Sequence, residues 1–172
     1  MIKPEFSRHV RLGPEAREIS LEANETEREA LARRFDILGI GALSATLRLQ
    51  PEPGGSVRAR GTLRAQVEQA CVVTLEPVLQ RIEAPLDLRI LEEGEAPGDD
   101  DPESPDEIES HGGLVDLGEA VAEQLSLALD PYPRAEGAEL PPIDAPESPE
   151  EDEPAATGRP NPFGKLAKLR EG

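Results

Sequence analysis

The chain has 172 residues, 36 Asp and Glu against 18 Lys and Arg for a formal net charge of −18, and 18 Pro beside 15 Gly. One Cys rules out an internal disulfide and a cysteine-rich zinc or iron–sulfur site, and an aromatic content of 2% leaves the core to Leu, Ile, Val and Ala. No apolar run approaches the roughly 20 residues of a membrane span, and Met1–Arg11 lacks the layout of a secretory signal, so a cytoplasmic setting is expected.

In chain order, Glu5–Leu12 and Arg17–Glu22 read as short strands. Asn24 followed by Glu27 is the spacing of a capping box, in which each residue's side chain satisfies the other's backbone amide. It predicts a helix to about Phe35, with Ala30, Leu31, Phe35 and Leu38 facing inward. Leu43–Gln50 then alternates, Leu43, Ala45, Leu47 and Leu49 against Ser44, Thr46, Arg48 and Gln50. Val57–Val67 does the same, with Val57, Ala59, Gly61, Leu63, Ala65 and Val67 on one side and Arg58, Arg60, Thr62, Arg64 and Gln66 on the other. A period of two marks strands with one dry and one wet face. The Pro- and Gly-rich residues 51–56 between them make a hairpin turn.

Gln69–Val78 breaks the alternation and reads as a buried crossover around Cys71. Ile82–Ile90 is a third strand with Pro85 on its outward face, the mark of an edge or a bulge. Glu92–Ser110 and Glu136–Gly158 combine acids with Pro and Gly and have few large apolar residues, a composition that predicts disorder. Between them Asp116 and Glu119 repeat the helix-start spacing. Leu117, Val121, Leu125, Ala128 and Leu129 line one side, and Asp130-Pro131 ends the helix. The expected fold class is α+β: an antiparallel β-sheet, a meander or partly open barrel, covered by two helices, with a disordered acidic loop and C-terminal tail. The expected organisation is an α+β domain over 1–133, its acidic loop at about 93–112, an acidic Pro-rich linker over 134–158 and a short basic docking tail over 159–172. Residues 1–92 are nearly neutral, with 13 basic and 14 acidic side chains, whereas 93–158 hold 21 acids against Arg134.

Catalytic chemistry finds no foothold. No glycine-rich phosphate loop or nucleophile-elbow serine is present, and His9 and His111 stand apart from other metal-type ligands in sequence and read as solvated. Neither a cofactor nor a metal is expected. Arg58, Arg60 and Arg64 share a strand face, and the hairpin turn would set Arg48 opposite Arg58. That stripe fits RNA phosphate or an acidic protein. A solvated face balanced by nearby carboxylates, for example those of Glu25–Glu29, is the favoured reading. In the tail, Asn161-Pro162 can start a helical turn; Phe163, Leu166 and Leu169 recur at helical spacing beside Lys165, Lys168 and Arg170, the form of a docking peptide.

Three features occur in order: Cys71-Val-Val-Thr-Leu75-Glu76-Pro77, the Val115-Asp-Leu-Gly-Glu119 helix start leading to Glu123-Gln124 and Leu127-Ala-Leu129, and a terminal Asn-Pro-Phe-x-Lys-Leu. In this the chain resembles the bacterial YceD family, the large ribosomal RNA subunit accumulation proteins, and especially its alphaproteobacterial branch. The resemblance implies a non-enzymatic role in accumulation or processing of 23S ribosomal RNA and in large-subunit assembly. The implied partner is ribosomal RNA or a large-subunit ribosomal protein; neither DNA nor a membrane is implied. Many members carry Cys-x-x-Cys before Leu-Glu-Pro and a further Cys after the second helix, a set suited to zinc. Here Thr74 stands at the second position and residues 130–134 contain no Cys, so the turn carries over and the metal does not. The alternative reading is an acidic adaptor or chaperone that holds a basic ribosomal protein by charge complementarity.

Overall fold

The alternating segments do become the sheet, and they run longer than their apolar cores suggest. The computed structural model describes residues 3–98 and 101–140. Its elements in order are β1 (His9–Arg11), β2 (Arg17–Glu22), α1 (Glu25–Arg34), β3 (Gly39–Pro51), β4 (Val57–Ala70), β5 (Pro77–Leu91), β6 (Asp106–Glu109), β7 (Leu114–Asp116) and α2 (Leu117–Ala128). The compact unit ends at Glu139; the docking tail 159–172 and the linker from 141 onward lie outside the described residues.

Strands β2 to β5 form an antiparallel meander, and β6 adds in parallel to β5, giving an open mixed sheet in the order β2-β3-β4-β5-β6. The fold is α+β, and the sheet does not close into a barrel. A separate ribbon pairs β1 with β7, His9 opposite Asp116. Two expectations are corrected here. Of Glu5–Leu12 only His9–Arg11 is strand. The acidic stretch 93–112, expected to be without structure, contains β6, because Ile108 packs against the core and Arg89 gathers its carboxylates. Arg89 lies 3.2 Å from Glu107 and 3.3 Å from Glu95. The Ser110 hydroxyl donates to the Leu91 carbonyl at 2.7 Å and closes the far side of the loop.

One face of the sheet is dry. Leu43, Ala45, Leu47 and Leu49 of β3, Val57, Ala59, Leu63, Ala65 and Val67 of β4, and Leu86, Leu88 and Ile90 of β5 are buried there with Leu117, Val121 and Leu125 of α2. Fully burying a side chain of this size stabilises by about 1.5–3 kcal/mol, so this layer is the main favourable term of the fold. Helix α1 begins with the full capping box: Asn24 Oδ1 accepts the Glu27 amide at 2.9 Å, and Glu27 Oε2 accepts the Asn24 amide at 2.8 Å. It buries Leu31 and Ala32, not Ala30, and Leu38 is exposed, because the helix stops at Arg34 and Asp36 turns the chain with φ 53°.

Helix α2 is locked to the N-terminal segment through one carboxylate. Asp116 Oδ1 accepts the Gly118, Glu119 and Arg8 amides at 3.1, 3.2 and 2.8 Å, and Oδ2 accepts the Ser7 hydroxyl at 2.6 Å. The expected reciprocal bond from Glu119 is replaced by an ion pair with Arg34 at 2.7 Å, which ties the two helices together. Close approach fixes two glycines. A Cβ at Gly118 would meet the Phe6 carbonyl oxygen at 2.7 Å, and one at Gly61, in the middle of β4, would overlap the Thr46 carbonyl oxygen.

Candidate nucleic-acid interface

Among the described residues no helix covers the opposite face of the sheet, and its side chains follow from the same alternation. Cross-strand rows run Glu18–Arg48–Arg60–Asp87, Gln50–Arg58–Arg89, Ser20–Thr46–Thr62–Pro85, Glu22–Ser44–Arg64–Glu83 and Ala42–Gln66–Arg81. The hairpin register differs from the expected one: Arg48 faces Arg60, and Arg58 faces Gln50, because five residues, Glu52–Ser56, close the turn with Gly54 and Gly55 at φ 101° and 97°. A slip of two positions keeps every side chain on its face, so the arginine stripe survives the correction.

The four arginines are not equivalent. Arg58 is a structural residue: its Nε donates to Asp87 Oδ1 and its Nη2 donates to Oδ2 at 2.7 Å, leaving the side chain 20% exposed. The hydrogen bond to Asp87 raises the Arg58 pKa above its ordinary value, and the same contact holds the Asp87 carboxyl below the usual carboxylate range. Arg64 sits 3.3 Å from Glu83, both largely in water, where such a pair contributes little. Arg60 reaches the already occupied Asp87 at 3.4 Å and remains 66% exposed. Arg48 forms no ion pair among the described residues, although Glu18 lies beside it in register. The balancing acids therefore come from β5 and the turn, not from Glu25–Glu29 as expected.

Arg48 and Arg60 thus stand side by side, flanked in the row by Glu18 and by the Asp87 that Arg58 already holds, and like charges directly opposed are mildly unfavourable on an empty surface. Together with Arg58, Gln50 and the turn residues Pro51 to Pro53 they line a shallow depression of about 430 Å³. Planar guanidiniums at the rim of an open concavity suit bidentate capture of phosphate oxygens. Among the described residues no Phe or Tyr lies on this face: Phe6 is fully buried beneath the Arg8 guanidinium, Phe35 ends α1 and packs against the core, and Tyr132 follows α2. The chemistry available is backbone contact and not base stacking. Sequence reasoning missed Arg81 and Arg89, which join the same face once the alternation is continued across the Glu76-Pro77 turn into β5.

Cys71 sits where β4 ends, fully buried, in a six-residue connection. Its Sγ accepts the Ala135 amide at 3.3 Å and the Thr74 amide at 3.4 Å, and the Ala135 amide first, then the Thr74 hydroxyl and amide, bring the thiol down to about 7. The Thr74 hydroxyl also reaches the Glu76 carboxylate at 3.3 Å, so the sulfur faces amide and hydroxyl donors and no second soft ligand, a donor set that does not fit zinc. His9 and His111, distant in sequence, reach the rim of one depression of about 390 Å³ with Glu109, Asp116, Glu119 and Glu123. Among the described residues no three His, Cys, Asp or Glu side chains are close enough to hold a metal ion. No helix there is long and apolar enough to cross a membrane.

Neither the curated proteins nor the solved structures contain a match to this chain. Residues 59–170, about two thirds of the sequence and spanning β4, β5, β6, β7, α2 and the C-terminal segment, match the family described as large ribosomal RNA subunit accumulation protein YceD. With Arg60, Arg64, Arg81 and Arg89, the Leu75-Glu76-Pro77 turn and the capped second helix inside that span and Arg48 outside it, the chain belongs to the YceD family.

Proposed function

We propose that the protein is a non-catalytic cytoplasmic factor, of the alphaproteobacterial type, that promotes accumulation and processing of 23S ribosomal RNA during large-subunit assembly. The family's described role supports this reading at the level of ribosomal RNA accumulation. The observation that carries the contact is the Arg48–Arg60 pair, two exposed arginines directly opposed, of which Arg48 forms no ion pair among the described residues and Arg60 shares Asp87 with Arg58. They engage successive backbone phosphates, with Arg64 and Arg81 extending the track along β4 and β5. The acidic segments repel RNA elsewhere on the chain and confine it to this face. The C-terminal Asn161-Pro162-Phe163, Lys165, Leu166, Lys168 and Leu169 supply a second attachment to the assembling particle.

The test is Arg48→Gln with Arg60→Gln, which removes both charges without setting four carboxylates in one cross-strand row. Both positions are solvent-facing, so the melting temperature stays within about 2 °C of wild type. Affinity for a 23S ribosomal RNA fragment at 0.1 M salt falls at least about tenfold. The slope of log affinity against log salt becomes shallower by about 1.4–1.8, the share of two phosphate contacts. In cells, crosslinks to large-subunit ribosomal RNA are lost. A folded double variant with unchanged RNA crosslinks and salt slope refutes the assignment. One observation favours a second reading, an adaptor for a basic ribosomal protein: 21 of the 36 acids lie in residues 93–158 beside a single Arg. RNA-independent, salt-sensitive binding of such a protein marks that role.

A further inference from the structure

The connection between β4 and β5 has a feature that folding alone does not call for. Leu75 occupies the left-handed region at φ 62°, where every other residue among those described is Gly or Asp. Its amide donates to the Cys71 carbonyl at 2.9 Å while the Cys71 amide donates to the Glu76 carbonyl at 2.8 Å, so the backbone holds the conformation firmly. Gly or Asn meets that geometry with less strain. The leucine side chain makes no compensating core contact, for it is 76% exposed. Strain kept at a well-held, outward-facing residue points to a role for the side chain.

Leu75 is not alone. Val72 is half exposed, Leu79 is exposed four residues further along, and Tyr132, 73% exposed, is fixed beside the turn because the Val72 amide donates to the Pro133 carbonyl at 2.8 Å. Apolar side chains gathered at a rigid turn mark a protein contact more than chance exposure does. The charge around them has one dominant sign. Glu68, Glu76, Asp130 and Glu136 flank the turn and the segment docked on it, against Arg134. This end of the hairpin lies at the opposite end of β4 from Arg58 and Arg60.

We infer that this end of the hairpin is a docking surface for a basic large-subunit protein, which seats an aliphatic or aromatic anchor among Val72, Leu75 and Tyr132 and places its Lys and Arg against the surrounding carboxylates. The inference rests on the proposed role in large-subunit assembly only for the choice of partner class. It gives the molecule two working ends, one for RNA backbone and one for protein, so that a ribosomal protein is held next to the RNA it joins.

The experiment uses the full chain with proteins extracted free of RNA from purified large ribosomal subunits. A photo-crosslinking residue is placed at Val72, and in a control at Thr46 on the arginine face. The expected result is a crosslink from position 72 to one defined basic protein of that set, absent from position 46. Leu75→Asn, which relieves the left-handed strain and keeps the fold at least as stable, weakens binding of that protein by about 10- to 100-fold, the range for losing one buried leucine. Equal crosslinking from both positions, no crosslink from position 72 to any protein of the set, or wild-type binding by Leu75→Asn overturns the inference. RNA crosslinks that depend on Arg48 and Arg60 persist in that case, so failure here is separable from failure of the RNA reading.

Discussion

Gly61→Ala lowers the free energy of unfolding by at least about 3 kcal/mol, the upper range for forced overpacking. The added methyl would occupy the space of the Thr46 carbonyl oxygen and lie 3.0 Å from Leu47 Cα, and both are backbone. A rotamer change cannot relieve such an overlap; β3 and β4 must move apart at the centre of the sheet, where Leu47 and Leu63 are fully buried. Since a domain of this size is stable by about 5–15 kcal/mol, the loss is a large share of the whole. Chemical denaturation gives the measurement, with Gly39→Ala as the control. A methyl group added at Gly39 would meet nothing within 4 Å, and that variant stays within about 0.5 kcal/mol of wild type. Equal stability of the two variants would mean that the strands are not this close at Gly61.

Asp116→Ala costs about 2–4 kcal/mol. The carboxylate caps α2 and also receives the Arg8 amide and the Ser7 hydroxyl, so truncation loses a helix cap and strands two donors from a different part of the chain. Asp116→Asn keeps one carbonyl oxygen for the amides and costs less. The effect depends on pH. Burial pushes the Asp116 carboxyl up, but the Ser7 hydroxyl and the Arg8 and Glu119 amides together outweigh it, and the net shift is downward. A carboxylate with a depressed folded value stabilises fully above its unfolded value of about 3.9 and loses that contribution as pH falls through the folded one. The gap in melting temperature between wild type and Asp116→Asn is therefore constant from pH 5 to 7 and closes below about pH 4. A gap that persists at pH 2 contradicts the role given to the charge.

Most of the sheet was legible because its physics is local. Alternation in Leu43–Gln50 and Val57–Val67 depends on neighbours two residues apart, and both helix starts depend on neighbours three apart. The hairpin register was not legible to the residue, since two glycines allow turns of several lengths, yet the period of two protected the arginine face from the error. Strand β6 was hidden for a different reason. Asp106-Glu-Ile-Glu109 carries one apolar residue among acids, and only a distant cation, Arg89, makes its burial tolerable. The same holds for the candidate site. That Arg58 is held by Asp87 while Arg48 and Arg60 are left to each other is a matter of long-range pairing, invisible to spacing along one strand. Leu75 looked like an ordinary turn residue until its backbone angle was known.

Pro85 lies opposite Thr62 on the stretch of β5 that has β4 on one side and no strand on the other, since β6 begins only opposite Leu88. The Leu91 carbonyl turns toward Ser110 and away from β4, so by alternation the peptide groups of Leu79, Arg81, Glu83 and Pro85 also turn outward. A proline there removes a donor from the middle of an otherwise open row, and charged neighbours discourage a visiting strand. This stretch of β5 is thereby a poor template for edge-to-edge pairing with a second copy.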